Sequence, residues 1–174
     1  MEYTFLLKYQ LSEDDNDPDA LVERLGEAGC DDALVDVGQP GRLALEFTRE
    51  ADSAQAAMRS ALADVKRVIP SARLVEAAPD FVGLTDVAEI IGVTRQNMRK
   101  LMLAHRATFP APVHEGSASI WHLADVLTWL QDRGSYALGQ DILEVAEVAL
   151  QVNVAREKRR LTGRFPADLE MLAG

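Results

Sequence analysis

Five polar side chains crowd a short stretch near the middle of this chain. Arg95, Gln96, Asn97, Arg99 and Lys100 surround a single apolar residue, Met98. These residue types do hydrogen-bond chemistry rather than covalent chemistry. A guanidinium grips the major-groove edge of guanine with two parallel bonds, and an Asn or Gln amide does the same for adenine. If the stretch is helical, Met98 and Leu101 turn inward and the five polar side chains turn out. Thr94 stands where an N-cap belongs, and the unpaired N–H groups of the first turn would add a phosphate site.

Covalent chemistry has no comparable foothold. Cys30 is the only cysteine, and the three histidines, at 105, 114 and 122, lie far from it in sequence. A nucleophilic thiol wants a cationic neighbour, so a buried, inert Cys30 is expected. Asp15, Asp17 and Asp19 alternate as in a calcium loop, but the sixth and twelfth positions hold Ala20 and Gly26 where Gly and Glu are required. No zinc spacing, Ser-His-Asp set or Gly-rich phosphate loop is legible. A non-enzymatic protein with no metal and no cofactor is expected.

The polar stretch needs elements to position it. Upstream, Thr85 reads as the cap of a short helix with Val87, Ala88 and Ile91 on one face. Gly92 ends that helix and Val93 sits in the turn. Two helices joined so tightly must cross steeply, and Ala88 is small enough to permit it. Leu84 to Leu101 therefore predicts a DNA-binding helix-turn-helix. Downstream, Phe109 to Val113 is extended, His114 to Ser119 is a turn, Ile120-Trp121 returns, and Leu123 to Leu130 is a helix. Trp121 and Trp129 are expected in the core.

The Phe109–Pro112 strand, the wing around Gly116, Trp121 and the Ala124–Trp129 helix together resemble the winged helix-turn-helix of the MerR-like and AlpA/excisionase-like regulators. The resemblance covers about 81 to 133. It implies that Thr94, Arg95, Gln96, Asn97, Arg99 and Lys100 meet the major groove and its phosphates. It also implies that His114, Ser117 and Ser119 touch backbone or minor groove from the wing. The wing departs from many relatives in carrying Glu115 and no Arg or Lys.

The first 78 residues read as a separate α+β unit. Strands are expected at Tyr3–Tyr9, Ala33–Val37, Arg42–Phe47 and Ala72–Ala77. Helices are expected after the Asp17 cap, with Leu21, Val22, Leu25 and Ala28 on one face, and over Asp52–Val68, with Ala56, Met58, Leu62, Val65 and Ile69 in phase. The order strand, helix, strand, strand, helix, strand is that of a ferredoxin-like βαββαβ sandwich. Ala77 to Asp80 reads as a linker.

Residues 139–162 read as one long helix. Its apolar surface (Leu143, Ala146, Leu150 and Val154, with Val145, Val148 and Val152 beside them) is wide enough to want cover on two sides. One cover would be the winged unit. The other is a second subunit, in a homodimer of the MerR-like kind, or the chain's own core. In the tail, 163–174, Phe165, Leu169 and Leu172 are spaced for a short helix docked on the parent unit or in a partner's groove.

Charge bounds the function. The chain carries net −10. Residues 1–80 hold 8 basic against 17 acidic residues, net −9; residues 81–133 hold 5 against 5, net 0. The overall field opposes DNA while the middle segment does not. No signal-like segment or membrane span is legible, and a cytoplasmic protein is expected. The reading is a sequence-specific, double-stranded-DNA-binding homodimer, a small bacterial or mobile-element transcriptional regulator, with an antitoxin as one form it could take. The alternative is an adaptor whose acidic N-terminal unit docks a basic protein and whose winged unit binds protein.

Overall fold

Alternation of large apolar and polar residues makes β1 (Glu2–Gln10) a half-buried strand. Tyr3, Phe5, Leu7 and Tyr9 are buried, and Thr4 on the other face is exposed. The computed structural model describes residues 1–161 and 167–174. β2 (Ala33–Asp36), β3 (Arg42–Glu50) and β4 (Arg73–Ala78) join β1 in one antiparallel sheet of order β2-β3-β1-β4. Phe5 and Phe47 are paired in register and stack with centroids 5.5 Å apart.

Helices α1 (Pro18–Glu27) and α2 (Ala54–Val68) cover the Tyr3–Tyr9 face. Asp17 caps α1 by accepting from the N–H groups of Asp19 and Ala20, and Ser53 caps α2 through the N–H of Ala56. Two expected core positions are corrected: Val22 is 47% exposed and Ala56 is exposed, while Ala54, Ala57 and Ala61 take the buried face of α2. Asp15 accepts from Arg24 and Ser71, so the alternating acidic residues serve the turn and the helix cap.

A second hydrophobic cluster follows. β5 (Phe81–Val82), β6 (His114–Glu115) and β7 (Ser119–His122) form a small sheet of order β5-β7-β6. Helices α3 (Leu84–Ile91), α4 (Arg95–Ala104) and α5 (Leu123–Arg133) pack around Val87, Met98, Trp121, Leu123 and Leu127.

Helix α6 (Gln140–Arg160) joins the two clusters. Leu143 and Ala146 belong to the second, Val145 and Ala149 to the first, and the helix packs on β1, β4, α2 and α5. The second cover for its wide stripe is thus the chain's own sheet unit, and of the stripe only Val154 is exposed, at 53%. Helix α7 (Ala167–Ala173) does not dock on the parent: Leu169, Met171 and Leu172 are 57%, 78% and 81% exposed. Phe165 lies outside the described residues. Among the described residues no helix is long and apolar enough to cross a membrane.

Candidate nucleic-acid interface

Helix α3 starts at Leu84, one residue before the expected Thr85 cap. Its N-cap is Gly83, whose N–H donates to Asp86 Oδ2 at 2.7 Å. Asp86 can reach back because it is the third residue of the helix, and its charge suits the positive helix end. Gly92 ends α3 at φ +75°, a left-handed conformation that glycine adopts without cost. The Val93 N–H then returns to the Ala88 carbonyl at 2.9 Å, which closes the turn. Ala88 is 2% exposed.

Thr94 Oγ1 accepts from the Asn97 N–H at 3.1 Å, as expected of a cap. In α4, Met98 is fully buried, and Leu101 and Met102 are half-buried. Thr94, Arg95, Gln96, Asn97, Arg99 and Lys100 are all exposed. At about 100° per residue, Arg95 and Arg99 form one stripe that flanks Met98, and Gln96 and Lys100 form the next, opposite it. Helix α4 contains no acidic residue. Among the described residues, Arg95, Arg99, Lys100 and the adjacent Arg106 enter no ion pair.

The expected six-residue turn at His114–Ser119 is tighter in the structure. His114 pairs with Ile120 and Glu115 with Ser119, which leaves Gly116 to Ala118 as the tip. His114 and Ser117 are exposed; Ser119 is half-buried. The hairpin root is held by the Trp121 indole, which donates to the Pro110 carbonyl at 3.0 Å, and by Phe109, edge-on to Trp121 at 5.9 Å and to Trp129 at 5.0 Å. Met98 of α4 and Trp121 of the hairpin share one cluster, so the two candidate surfaces are anchored in a common core.

No family model, curated protein or solved structure matches this chain.

Some other basic side chains are engaged. Arg133 lies over Trp129, 4.8 Å from the ring centre, and meets His105 Nε2 at 3.0 Å. At the end of α6, Arg156 and Arg160 both bond Glu157, which spends part of that basic cluster within the helix. Glu89, Glu115 and Asp125 are exposed. Cys30 is buried, and burial pushes its thiol above the usual range. Among the described residues, no three His, Cys, Asp or Glu side chains are grouped to hold a metal ion.

Sequence reading missed one polar site. Asp80, 1% exposed, lies between the two units in the segment read as a linker, and it contacts Asn153 and His122. The available signal was Asn153, an amide set between Val152 and Val154 in an apolar helix stripe.

Proposed function

We propose that this chain is a sequence-specific binder of double-stranded DNA that acts as a homodimer, a small transcriptional regulator of bacterial or mobile-element type. The observation that carries the reading is α4: an Asn, a Gln and three cations, all exposed, the cations without ion-pair partners among the described residues, on a helix with no acidic residue. Fixed by a buried Met98 and a capped first turn, such a helix suits the major groove. The α3–turn–α4 pair and the following hairpin support a winged helix-turn-helix of the MerR-like or AlpA/excisionase-like kind. The β2-β3-β1-β4 order, with α1 and α2 on one face, supports a ferredoxin-like sandwich for the first unit.

The dimer in this reading meets through what α6 and the tail leave open: Val154, Leu161, and Leu169, Met171 and Leu172 of α7. A role as an antitoxin fits the same design and would add a protein partner.

Binding to the DNA upstream of the chain's own reading frame, measured across a salt series, tests the proposal. Arg95→Ala and Arg99→Ala should each flatten the slope of log affinity against log salt by about 1. Unchanged retention by both variants would sink it. Sedimentation with Val154→Glu and Leu169→Glu tests the dimer contact.

The charge of the first unit favours a second reading. With net −9 on residues 1–80 and Leu34 73% exposed on the edge strand β2, that unit would dock a basic protein, making the chain an adaptor. Binding that ignores DNA but persists with a basic partner would favour it.

A further inference from the structure

Asp80 is a charged residue whose side chain is wholly inaccessible. A carboxylate offers only acceptors, so burial is tolerable only if donors surround it. Its Oδ2 accepts from Asn153 Nδ2 at 2.8 Å, and its Oδ1 meets His122 Nδ1 at 2.7 Å. Its backbone carbonyl accepts the Leu123 N–H, the first of α5, at 2.7 Å. Asn153 completes the set by accepting from the Ala77 N–H and donating to the Ala77 carbonyl, both at 2.8 Å. An amide used this way stands in for a neighbouring strand along the open edge of β4.

These bonds reach four elements: β4, α6, the last residue of β7 and the first turn of α5. The remaining contacts between the units, through α6, include apolar packing, whose driving force is not directional. Hydrogen bonds are directional.

We propose that Asp80 is the pivot that fixes the hairpin unit's orientation against the sheet unit, with Asn153 and His122 as its two grips. With Asp80 as the carboxylate, the 2.7 Å contact needs a hydrogen on His122 Nδ1, which the neutral Nδ1–H tautomer and the imidazolium both carry. The pivot thereby positions α4 and the hairpin tip relative to the rest of the chain. Its consequence for DNA rests on the function proposed above; the pivot itself does not.

The test uses the full chain and two variants. In the wild type, imidazole ¹⁵N shifts should report a hydrogen on His122 Nδ1, in the neutral Nδ1–H tautomer or the imidazolium. Asp80→Asn keeps the shape but brings one amide NH₂ into the pair. Asn153 still needs an acceptor, so the new NH₂ must face His122, and the ring should convert to the Nε2–H tautomer to accept it. Asp80→Ala removes both grips, and residual dipolar couplings from the two units should then stop fitting a single alignment tensor. If Asp80→Ala does not fold, the tautomer change in Asp80→Asn decides. An unchanged tautomer in Asp80→Asn, or one tensor for both units in Asp80→Ala, overturns the pivot. On DNA, Asp80→Ala should weaken binding with its salt slope unchanged, because no phosphate contact is lost. Undiminished affinity would overturn the functional half. A wild type that binds no DNA would defeat the DNA reading, with the tautomer and coupling results still deciding the pivot.

Discussion

Gly92→Ala separates backbone strain from crowding at the turn on which the candidate interface depends. Gly92 sits at φ +75°, is exposed, and a Cβ added to it would meet nothing within 4 Å. The cost therefore comes from the left-handed conformation alone, roughly 1–2 kcal/mol for an L residue with a Cβ. Removing a glycine also stiffens the unfolded chain, which returns about 0.4–1 kcal/mol. The net loss is about 1 kcal/mol, a fall in Tm of roughly 2–4 °C for a chain of this length. Gly92→Asn should cost less than Ala, since Asn visits this region more readily. Urea and thermal melts of the three proteins check the order. A neutral Ala variant, or an Asn variant as costly as Ala, would refute the strain account. A loss above about 3 kcal/mol would mean that crowding was overlooked.

Met98→Ala should destabilise by about 2–5 kcal/mol, because the side chain is fully buried and anchors α4; a urea melt measures it. Arg49 is 12% exposed and bonds both Asp32 and Asp64. Arg49→Met should cost about 3 kcal/mol, the low end for a broken buried pair, since those carboxylates are 28% and 26% exposed. The neutral Cys30 thiol is favoured by folding, so its contribution is full below the ordinary thiol range and lost as pH rises through the raised folded value. A thiol reagent at mildly alkaline pH should react with it slowly in the native protein and fast in urea, and rapid native labelling would contradict this. A fragment of residues 1–80 lacks Val145 and Ala149, which complete the first core, and should show no cooperative melt by circular dichroism.

The sequence carried most of the local structure because local rules wrote it. The alternation in β1, the Asp17-Pro18 start of α1, the Thr94 cap and Gly92 each act over a few residues. The misplacements are also physical. Helix α2 holds five alanines, at 54, 56, 57, 61 and 63, and their near-equal hydrophobicity does not say which face turns inward. Thr85 and Gly83 both qualify as caps; Asp86 decides between them by reaching back to Gly83. The exposure of the α4 polar residues was legible because Met98 and Leu101, at helical spacing, mark the face that turns inward. Asp80 was not, because its burial depends on Asn153 and His122, 73 and 42 residues away. A polar residue after Pro79 reads as linker until those partners are folded against it.

Helix α6 bears on how the candidate interface would work. Its apolar positions span an arc too broad for one neighbour, and both neighbours come from the same chain. The two units are therefore not beads on a string, since one helix completes both cores. This changes what a second copy could do. A dimer cannot use Leu143, Val145, Ala146 or Ala149 without first unfolding the chain, so any dimer contact moves to the end of α6 and to α7. It also changes what the acidic unit does. Held against the hairpin unit rather than swinging on a tether, its net −9 lies at a fixed distance from α4. At physiological salt the Debye length is about 8 Å, so that charge repels a duplex only where its fixed position brings it near. In the proposed reading, arbitrary DNA would then gain little beyond the few cations of α4. In the proposed reading a cognate site would add base contacts that those cations alone do not supply, and a strongly acidic chain would in that way bind DNA selectively.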